Sequence, residues 1–493
     1  MGKYLLGFDL GSSSVKVSLV NAETGKAVAS ASQPEVEMAM ISQQPGWAEQ
    51  EPELWWSHSV KATKQLITKV NVAKEEITSI GISYQMHGLV LVDKDHKVLR
   101  PSIIWCDSRA VAIGEKASQE LGEYSSRNLL NSPGNFTASK LKWVKENEPQ
   151  IFERIYKFML PGDFLAMKLT GEICTTASGL SEGIFWDFLS NSVSEKLLNL
   201  YGFKKQMIPD IVPTFGLQGK VSKATADELG IAEGIPVTYR AGDQPNNAFS
   251  LKALHPGEVA ATAGTSGVVY GVSDQPLADQ YSRVNTFLHV SNTATQPRYG
   301  VLLCVNGTGI MNSWLRKLLG NISYPQMNEL AAQANIGSDG LAVLPFGNGA
   351  ERIFQNKNLG AGFSGLDLNR HTQAHISRAV QEGIVFALAY GFKIFQPLGI
   401  NAKIIRAGNA NMFLSPVFRE AFVNTIGARL ELFDTDGAQG AAIAGGLGAG
   451  YYKTEAEAFR GLTVIQSQEP QNNLQEKYLS AYKIWSDYLG KAL

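Results

Sequence analysis

Two short turns rich in glycine and serine are the first places in the sequence where backbone amides could bind phosphate. Residues 11–14 (GSSS) and residues 264–267 (GTSG) each lie between two apolar runs that alternate as β-strands do. Amides of such turns can approach phosphate oxygens because glycine carries no side chain. The repeated strand, turn and strand indicate an internal duplication. It predicts two hairpins that present N–H groups to one polyphosphate.

Two aspartates stand where a carboxylate could act on such a phosphate. Asp9 directly precedes the first turn and could hold a hydrated Mg²⁺, although capping of the turn is the alternative. Asp243 follows a strand predicted at 235–239, and Pro245 suits the first turn of the next helix. A carboxylate at the carboxyl end of a strand lies where α/β proteins bind their ligands. The alternative for Asp243 is a helix N-cap.

The elements that must position these residues are short strands mixed with helices. Hairpins coexist with strand-helix-strand crossovers, which predicts an α/β protein with mixed sheets. The pattern predicts a hairpin over 3–20, a helix over 52–70, strands over 77–84, 235–239, 258–262 and 403–407, a long helix through 376–388 that ends before Pro397 and Gly399, a helix that starts at Ser415 and Pro416, and mainly helix after 455.

Length and composition predict two domains and a small-molecule partner. A chain of 493 residues exceeds one hydrophobic core, and the duplication places the boundary near residue 250, giving 1–248 and 249–493. With 44 Lys+Arg against 45 Asp+Glu, no charge favours nucleic acid or an anionic membrane. Widely spaced Cys106, Cys174 and Cys304, without a secretory signal or apolar span, predict a cytoplasmic protein with reduced thiols and no zinc site.

Two common nucleotide-binding motifs do not provide a nucleotide site in this sequence. The sequence has no G-x-x-x-x-G-K-[ST] run, so a Walker-type loop is excluded. A G-x-G-x-x-G spacing occurs at residues 360–365, but the polar residues 355–358 before it do not form a buried strand. We therefore expect nucleotide binding by the two glycine-rich hairpins and not by a dinucleotide fold.

With these motifs in hand, the chain resembles the FGGY family of carbohydrate kinases over nearly its full length. Residues 8–14 and 264–267 are similar to the two phosphate motifs of the family, and Asp243 matches its catalytic base. Residues 137–143 (TASKLKW) resemble one family signature, and 362–366 (GFSGL) leading into 378–383 resemble the other. The resemblance implies an actin-like ATPase fold, related to ribonuclease H, with ATP and Mg²⁺ bound in a cleft between two domains.

The resemblance also assigns site residues. Residues 85–88 (QMHG) and 105–109 (WCDSR) look like the xylulokinase branch more than the glycerol, gluconate or ribulose kinase branches. These two segments contain a hydrogen-bond donor (His87), an apolar ring (Trp105) and an acceptor (Asp107), and this combination of groups is suited to bind a polyol. The implied sugar-binding residues are Gln85, Met86, His87, Gly88, Trp105, Asp107, Arg109 and Gln244. The implied ATP-binding residues are Gly11, Ser12, Ser13, Lys16, Gly264, Thr265, Ser266, Gly408, Asn409 and Asn411, with Asp9 holding Mg²⁺ through water.

Several residues depart from the branch pattern. Gln244 stands where Asn is usual, Cys106 replaces a common Asn, and residues 175–179 (TTASG) lack the expected aspartate. These changes touch the sugar pocket, which allows an altered or broadened ketose specificity. The loop 408–411 (GNAN) is less glycine-rich than the adenosine loop of the family, which bears on nucleotide preference.

The resemblance implies an ATP-dependent kinase that phosphorylates D-xylulose to D-xylulose 5-phosphate. One alternative is a kinase for another pentulose or polyol, such as L-xylulose or ribulose. A second alternative is a non-enzymatic, actin-like nucleotide switch, against which Asp243 and the sugar motif at 85–88 weigh. The resemblance also allows a homodimer.

Overall fold

The computed structural model describes residues 3–70 and 72–493. The strands of residues 4–250 are β1 (Tyr4–Leu10), β2 (Val15–Asn21), β3 (Ala27–Gln33), β4 (Glu49–Gln50), β5 (Ile77–Tyr84), β6 (Val90–Val92), β7 (Ser102–Ile103), β8 (Lys157–Met159), β9 (Cys174–Thr176), β10 (Trp186–Asp187), β11 (Ser192–Val193), β12 (Asp210–Val212), β13 (Phe215–Lys220) and β14 (Pro236–Gly242). Their helices are α1 (Pro52–Val70), α2 (Val111–Leu121), α3 (Glu123–Arg127), α4 (Thr137–Asn147), α5 (Pro149–Arg154), α6 (Pro161–Thr170), α7 (Ala177–Glu182), α8 (Glu195–Tyr201), α9 (Lys223–Leu229) and α10 (Asp243–Ser250).

The rest of the chain adds a second set of strands and helices. The strands are β15 (Val259–Ala263), β16 (Gly267–Ser273), β17 (Asn285–Leu288), β18 (Tyr299–Val305), β19 (Ala342–Phe346), β20 (Gly360–Ser364), β21 (Ile404–Gly408), β22 (Arg429–Phe433) and β23 (Val464–Gln468). The helices are α11 (Gly309–Leu318), α12 (Tyr324–Ala332), α13 (Gln373–Phe395), α14 (Pro416–Ile426), α15 (Gly437–Gly448), α16 (Glu455–Ala458) and α17 (Asn472–Ala492). In the described part of the chain, none of the helices has the length and hydropathy of a membrane span.

Contacts divide the chain into two compact units. The first contains Met1–Lys252, Phe287–Thr295 and Thr435–Leu462, and the second contains Ala253–Thr286, Gln296–Asp434 and Thr463–Leu493. Helix α15 therefore belongs to the first unit although it comes late in the chain.

The first unit is built on a mixed six-stranded sheet in the order β13-β14-β5-β1-β2-β3. Strands β1 and β2 form an antiparallel hairpin, whereas β1, β5 and β14 run parallel. The register pairs Leu10 with Tyr84 and Tyr84 with Gly242, so all three parallel strands end at the same edge of the sheet. That edge is where their following loops can build one site.

Helix α15 lies unusually close to one face of this sheet. A Cβ atom added at Gly7 on β1 would lie 1.9 Å from the carbonyl oxygen of Ala438, and one at Gly81 on β5 would lie 1.8 Å from that of Ala441. Only glycine permits this approach. The packing brings the N-terminus of α15 to the strand that carries Asp9.

The second unit repeats the plan of the first. Its sheet has seven strands in the order β17-β18-β16-β15-β21-β22-β23, in which β15 and β16 form an antiparallel hairpin and β15, β21 and β22 run parallel. Each edge strand beyond the parallel set, β13 in one unit and β23 in the other, is antiparallel to its neighbour. Apart from β17, which has no counterpart in the first sheet, the two sheets share order and direction, and this supports the duplication.

Most predicted elements are confirmed. The helix at 52–70, the strand at 77–84 and the N-cap at Ser415 are present with the expected bounds, and the long helix α13 ends before Pro397. After residue 455 the prediction of mainly helix holds for α16 and α17 but misses β23. That strand is largely exposed at the sheet edge, so its sequence (VIQSQ) carries no alternating apolar signal, and pairing with β22 stabilises it.

Candidate active site

Asp9 lies on β1 in a partly buried group of acidic and polar side chains. Its carboxylate accepts a hydrogen bond of 2.8 Å from the Ser83 hydroxyl on β5. Burial, and next in size the charge of Asp436, raise the pKa of Asp9 above its ordinary value, against the opposing effects of Ser83 and Lys16. The carboxylate also faces α15, because a Cβ added at Gly437 would lie 2.3 Å from Asp9 Oδ2.

Lys16 and Asp436 form an ion pair beside Asp9, with 2.6 Å between Nζ and Oδ2. Asp436 is also the N-cap of α15, since its Oδ1 accepts the backbone N–H of Gln439 at 2.9 Å. The partly exposed Lys16 ammonium therefore has a fixed position close to the first turn. This ammonium is a positive charge beside the predicted phosphate turn, and its contact with phosphate stays a prediction.

Hydrogen bonds hold the turn that follows β1 in place. The Gly11 N–H bonds to the carbonyl of Ser14 at 3.0 Å, and the Gln50 side chain donates to the carbonyl of Ser12 at 2.7 Å. Gln50 also accepts from the Gln85 amide at 3.2 Å. A chain of amides thus connects the start of the predicted sugar motif to the predicted phosphate turn. The Ser13 hydroxyl donates to Glu37.

Asp243 is the first residue of α10, at the carboxyl end of β14. Gly242 occupies the N-cap and α10 has no side-chain cap, so the N-cap interpretation of Asp243 is not what the helix shows. Burial first, and then the negative charge of Asp9, raise the pKa of Asp243 to about 7. A carboxylate with a pKa near 7 is suited to accept a proton at neutral pH.

Two amide oxygens close to these carboxylates have no hydrogen-bond donor among the described residues. They are Gln85 Oε1 and Gln244 Oε1, and both are buried. Buried polar atoms in folded proteins are nearly always paired, so these acceptors are suited to hydroxyl groups of a polar ligand. Met86 packs against Gly242, and Gly88 packs against Pro161. Contact of either residue with sugar stays a prediction.

His87 holds its position through several contacts. Its φ of 62° is left-handed, a conformation that costs a non-glycine residue about 1–2 kcal/mol. The buried Lys140 ammonium donates to the His87 carbonyl at 2.8 Å and to the Ile104 carbonyl at 2.9 Å. Phe136 meets the imidazole edge to face at 4.7 Å between ring centroids. Burial lowers the pKa of Lys140 to about 7, partly offset by Asp107.

The second predicted sugar segment, residues 105–109, has an exposed Trp105 and buried Asp107 and Arg109 side chains. Trp105 is 51% exposed, and its indole N–H lies 3.4 Å from the Ser12 hydroxyl. Asp107 is fully buried; its carboxylate accepts from the Ala48 N–H and forms an ion pair of 2.7 Å with Arg109. The Arg109 guanidinium stacks on Trp47. Asp107 and Arg109 therefore support the loop that presents Trp105, and direct contact of either with sugar stays a prediction.

The residues near Asp9 fit a magnesium ion bound mainly by water and phosphate. Asp9 and Asp436 are anionic oxygen donors whose mutual repulsion a cation would offset. Among residues 3–70 and 72–493 no group of three or more His, Cys, Asp and Glu side chains is arranged to hold a metal by itself. Mg²⁺ usually takes one or two carboxylates and completes its shell with phosphates and water, which agrees with both observations.

In the second unit, the other predicted phosphate turn lies beside the predicted adenosine loop. The carbonyls of Gly264 and Thr265 accept N–H groups from Gly309 and Ile310 at the start of α11. A Cβ added at Gly264 would lie 3.6 Å from the amide nitrogen of Asn411. The Asn409 N–H bonds to the carbonyl of Phe433 at 2.9 Å, which fixes the loop after β21. Ser266 faces Cys304 on β18.

Three residues of this geometry were not predicted from the sequence. Asp436 precedes a glycine- and alanine-rich helix, with Gln three residues on, and this N-cap pattern was available as a signal. Glu182 ends α7 and Lys140 lies inside the signature at 137–143, but nothing in the spacing of either indicates contact with His87. Their roles depend on tertiary packing.

Comparison with known proteins agrees with this geometry. A model of the N-terminal domain of the FGGY family of carbohydrate kinases matches residues 4–250, and a model of its C-terminal domain matches residues 259–449. The chain belongs to the FGGY family of carbohydrate kinases. FGGY kinases are phosphotransferases that use ATP and act on an alcohol group, and this chain is one of them, with the two-domain actin-like ATPase fold.

Individual relatives cover nearly the whole FGGY chain. It is 30% identical over 473 residues to the xylulose kinase of Escherichia coli strain K12, with 94% of each chain covered. The crystal structure of xylulose kinase from Rhodospirillum rubrum has a TM-score of 0.88 at 25% identity and covers 99% of this chain and 98% of its own. A gluconate kinase structure from Lactobacillus acidophilus has a TM-score of 0.89 at 23% identity, covering 99% of this chain and 98% of its own. The fold alone therefore does not identify the sugar.

Proposed function

We propose that this FGGY kinase transfers the γ-phosphoryl group of Mg-ATP to the 5-hydroxyl of D-xylulose and forms D-xylulose 5-phosphate. One observation carries the proposal. Asp243, with a pKa of about 7, lies at the same sheet edge as Asp9 and the sugar motif that begins at Gln85. In this proposal the base, the phosphate turn and the buried acceptors for sugar hydroxyls all belong to one unit.

In this proposal Asp243 takes the proton of the attacking hydroxyl as that oxygen bonds to the γ-phosphorus. Gln85 and Gln244 accept hydrogen bonds from sugar hydroxyls, and Trp105 offers a ring face to the carbon chain. Lys16 and the amides of the turn at 11–14 bind phosphate oxygens. Asp9 and Asp436 would hold Mg²⁺, which neutralises phosphate charge when it is bound.

We assign the remaining roles by domain. Residues 1–248 would form the N-terminal domain with the sugar site and the first phosphate turn. Residues 249–493 would form the C-terminal domain, with Gly264, Thr265 and Ser266 on phosphate and the loop at 408–411 on adenosine. Xylulose kinase relatives at about 30% identity support D-xylulose as the substrate. The homodimer and the cytoplasmic location stay predictions.

A sugar panel tests the substrate. ADP release is measured with D-xylulose, L-xylulose, D-ribulose, gluconate and glycerol at fixed Mg-ATP. We expect the highest kcat/KM for D-xylulose. A higher value for another sugar would replace D-xylulose in the proposal. Nucleotide turnover that is unaffected by every sugar would favour the nucleotide switch.

A further inference from the structure

The carboxyl group of Glu182 lies between two parts of the proposed sugar site, the motif at 85–88 and the strand end before Asp243. It has no role in the chemistry described above. Its side chain is 2% exposed and ends α7. Oε1 accepts the backbone N–H of His87 at 3.5 Å, and the Tyr84 hydroxyl is a second partner. A Cβ added at Gly242 would lie 2.4 Å from Oε2, so this oxygen lies beside the residue that precedes Asp243.

His87 is bound twice by this one residue. Besides the carboxyl contact with the His87 N–H, the backbone carbonyl of Glu182 lies 3.1 Å from imidazole Nδ1. Lys140 takes the third polar group of His87, its carbonyl. A left-handed histidine persists only where its surroundings hold it, and Glu182 supplies two of these contacts.

We propose that Glu182 is a positioning residue for sugar binding, which fixes the left-handed His87 and aligns it with the strand end that carries Asp243. This inference rests on the proposed kinase function and deepens it. In this proposal the sugar contacts His87, as the family resemblance implies, and Glu182 acts through His87 and Gly242 without contacting the reacting atoms. Loss of the carboxyl group leaves the His87 N–H without its acceptor and lets the sugar motif relax.

The charge state of Glu182 agrees with such a role. Burial first, and then the nearby Asp243, raise the pKa of Glu182 well above its usual range. Both effects act against the charged form of this carboxyl group. Glutamine has almost the same shape and no charge, and its amide oxygen can still accept the N–H of His87. Aspartate keeps the acid but is one methylene too short to span the same distance.

Three variants in the full-length protein test the inference, in assays with the sugar that the wild type phosphorylates with the highest kcat/KM. We expect Glu182→Ala and Glu182→Asp to raise the sugar KM about tenfold, the effect of one lost buried hydrogen bond, while the ATP KM changes less than twofold. Glu182→Gln should stay within about threefold of wild type. Should Glu182→Ala fail to fold, the contrast between the Asp and Gln variants decides.

Asp187 provides a matched control in the same unit. It is 6% exposed and accepts the N–H groups of Leu189 and Ser190 and the Tyr124 hydroxyl, as Glu182 accepts an N–H and a tyrosine hydroxyl. Asp187→Ala should lower the melting temperature and leave the sugar KM unchanged. An unchanged sugar KM in the Glu182→Asp variant, or a Gln variant as impaired as the Asp variant, would overturn the inference. Because the assay uses the preferred sugar, failure of D-xylulose in the panel is a separate result.

Discussion

Replacing Asp243 by asparagine separates catalysis from structure. Asparagine keeps the size of the side chain and removes its ability to accept a proton. A positioned general base contributes about 10²- to 10⁴-fold to the rate, so we expect Asp243→Asn to lose that factor in kcat. The KM values for sugar and ATP should stay within a few-fold of wild type, because the lost interaction belongs to the transition state.

The pKa of Asp243 gives the pH dependence of this loss. Burial and Asp9 raise that pKa from 3.8 to about 7, so the base is about half ionised at pH 7. We expect the wild-type kcat/KM to fall about tenfold per pH unit below 7 and to level off above it. The residual activity of Asp243→Asn should lack this slope.

The folding stability of the wild type should change with pH in the direction opposite to its activity. An acid whose pKa is raised in the folded protein disfavours folding as pH increases from about 4 to above 7, because the unfolded chain releases the proton more readily. Asp243→Asn removes this cost, so its melting temperature at pH 8 should equal or exceed that of wild type. Asp227→Asn, on the exposed face of α9, removes the same charge and should change neither rate nor slope. Asp243→Asn activity above about a tenth of the wild-type kcat would refute the base assignment.

Three further changes test the phosphate site and the packing beneath it. Gly264→Ala should fold normally, since its Cβ has 3.6 Å of room, but calorimetry should show weaker ATP binding; unaltered ATP affinity would rule out close backbone contact with phosphate. Lys16→Met should weaken ATP binding by about 1.5–3 kcal/mol with the sugar KM unchanged, and an equal loss for both substrates would contradict the assignment. Gly7→Ala should lower the free energy of unfolding by about 1–3 kcal/mol through overpacking against α15. The control Gly490→Ala, where nothing lies within 4 Å, should be neutral or slightly stabilising, and a similar loss in both variants would refute the close-packing argument.

Local signals predicted much of the fold. The helix at 52–70 and the strand at 77–84 were predictable because apolar periodicity and flanking turns repeat over enough residues to exclude the alternative. Strand β23 was not, because an exposed edge strand has no buried face and depends on its neighbour. The packing of α15 in the first unit was equally unpredictable. It depends on close contact of Gly7 and Gly81 with a helix that is far away in the sequence.

Some residues of the candidate site could be predicted from the sequence, and others could not. Asp9 and Asp243 were recognisable because each lies next to the carboxyl end of a strand, and strand ends at one edge of a sheet converge whatever their separation in sequence. The buried role of Asp107 was not recognisable, because the motif at 105–109 does not show that its carboxylate pairs with Arg109. Glu182 follows the same rule: its contact with His87 exists only once α7 packs beside the end of β5.

Identification of the product tests the central proposal most directly. The protein is incubated with Mg-ATP and D-xylulose, and the product is analysed by ³¹P and ¹³C nuclear magnetic resonance. We predict one ADP per sugar phosphate and a phosphorus coupling to carbon 5, with the Asp243→Asn variant forming at most about a hundredth of the wild-type product over the same time. A phosphate on another carbon, or ADP release without any sugar phosphate, would contradict the proposal.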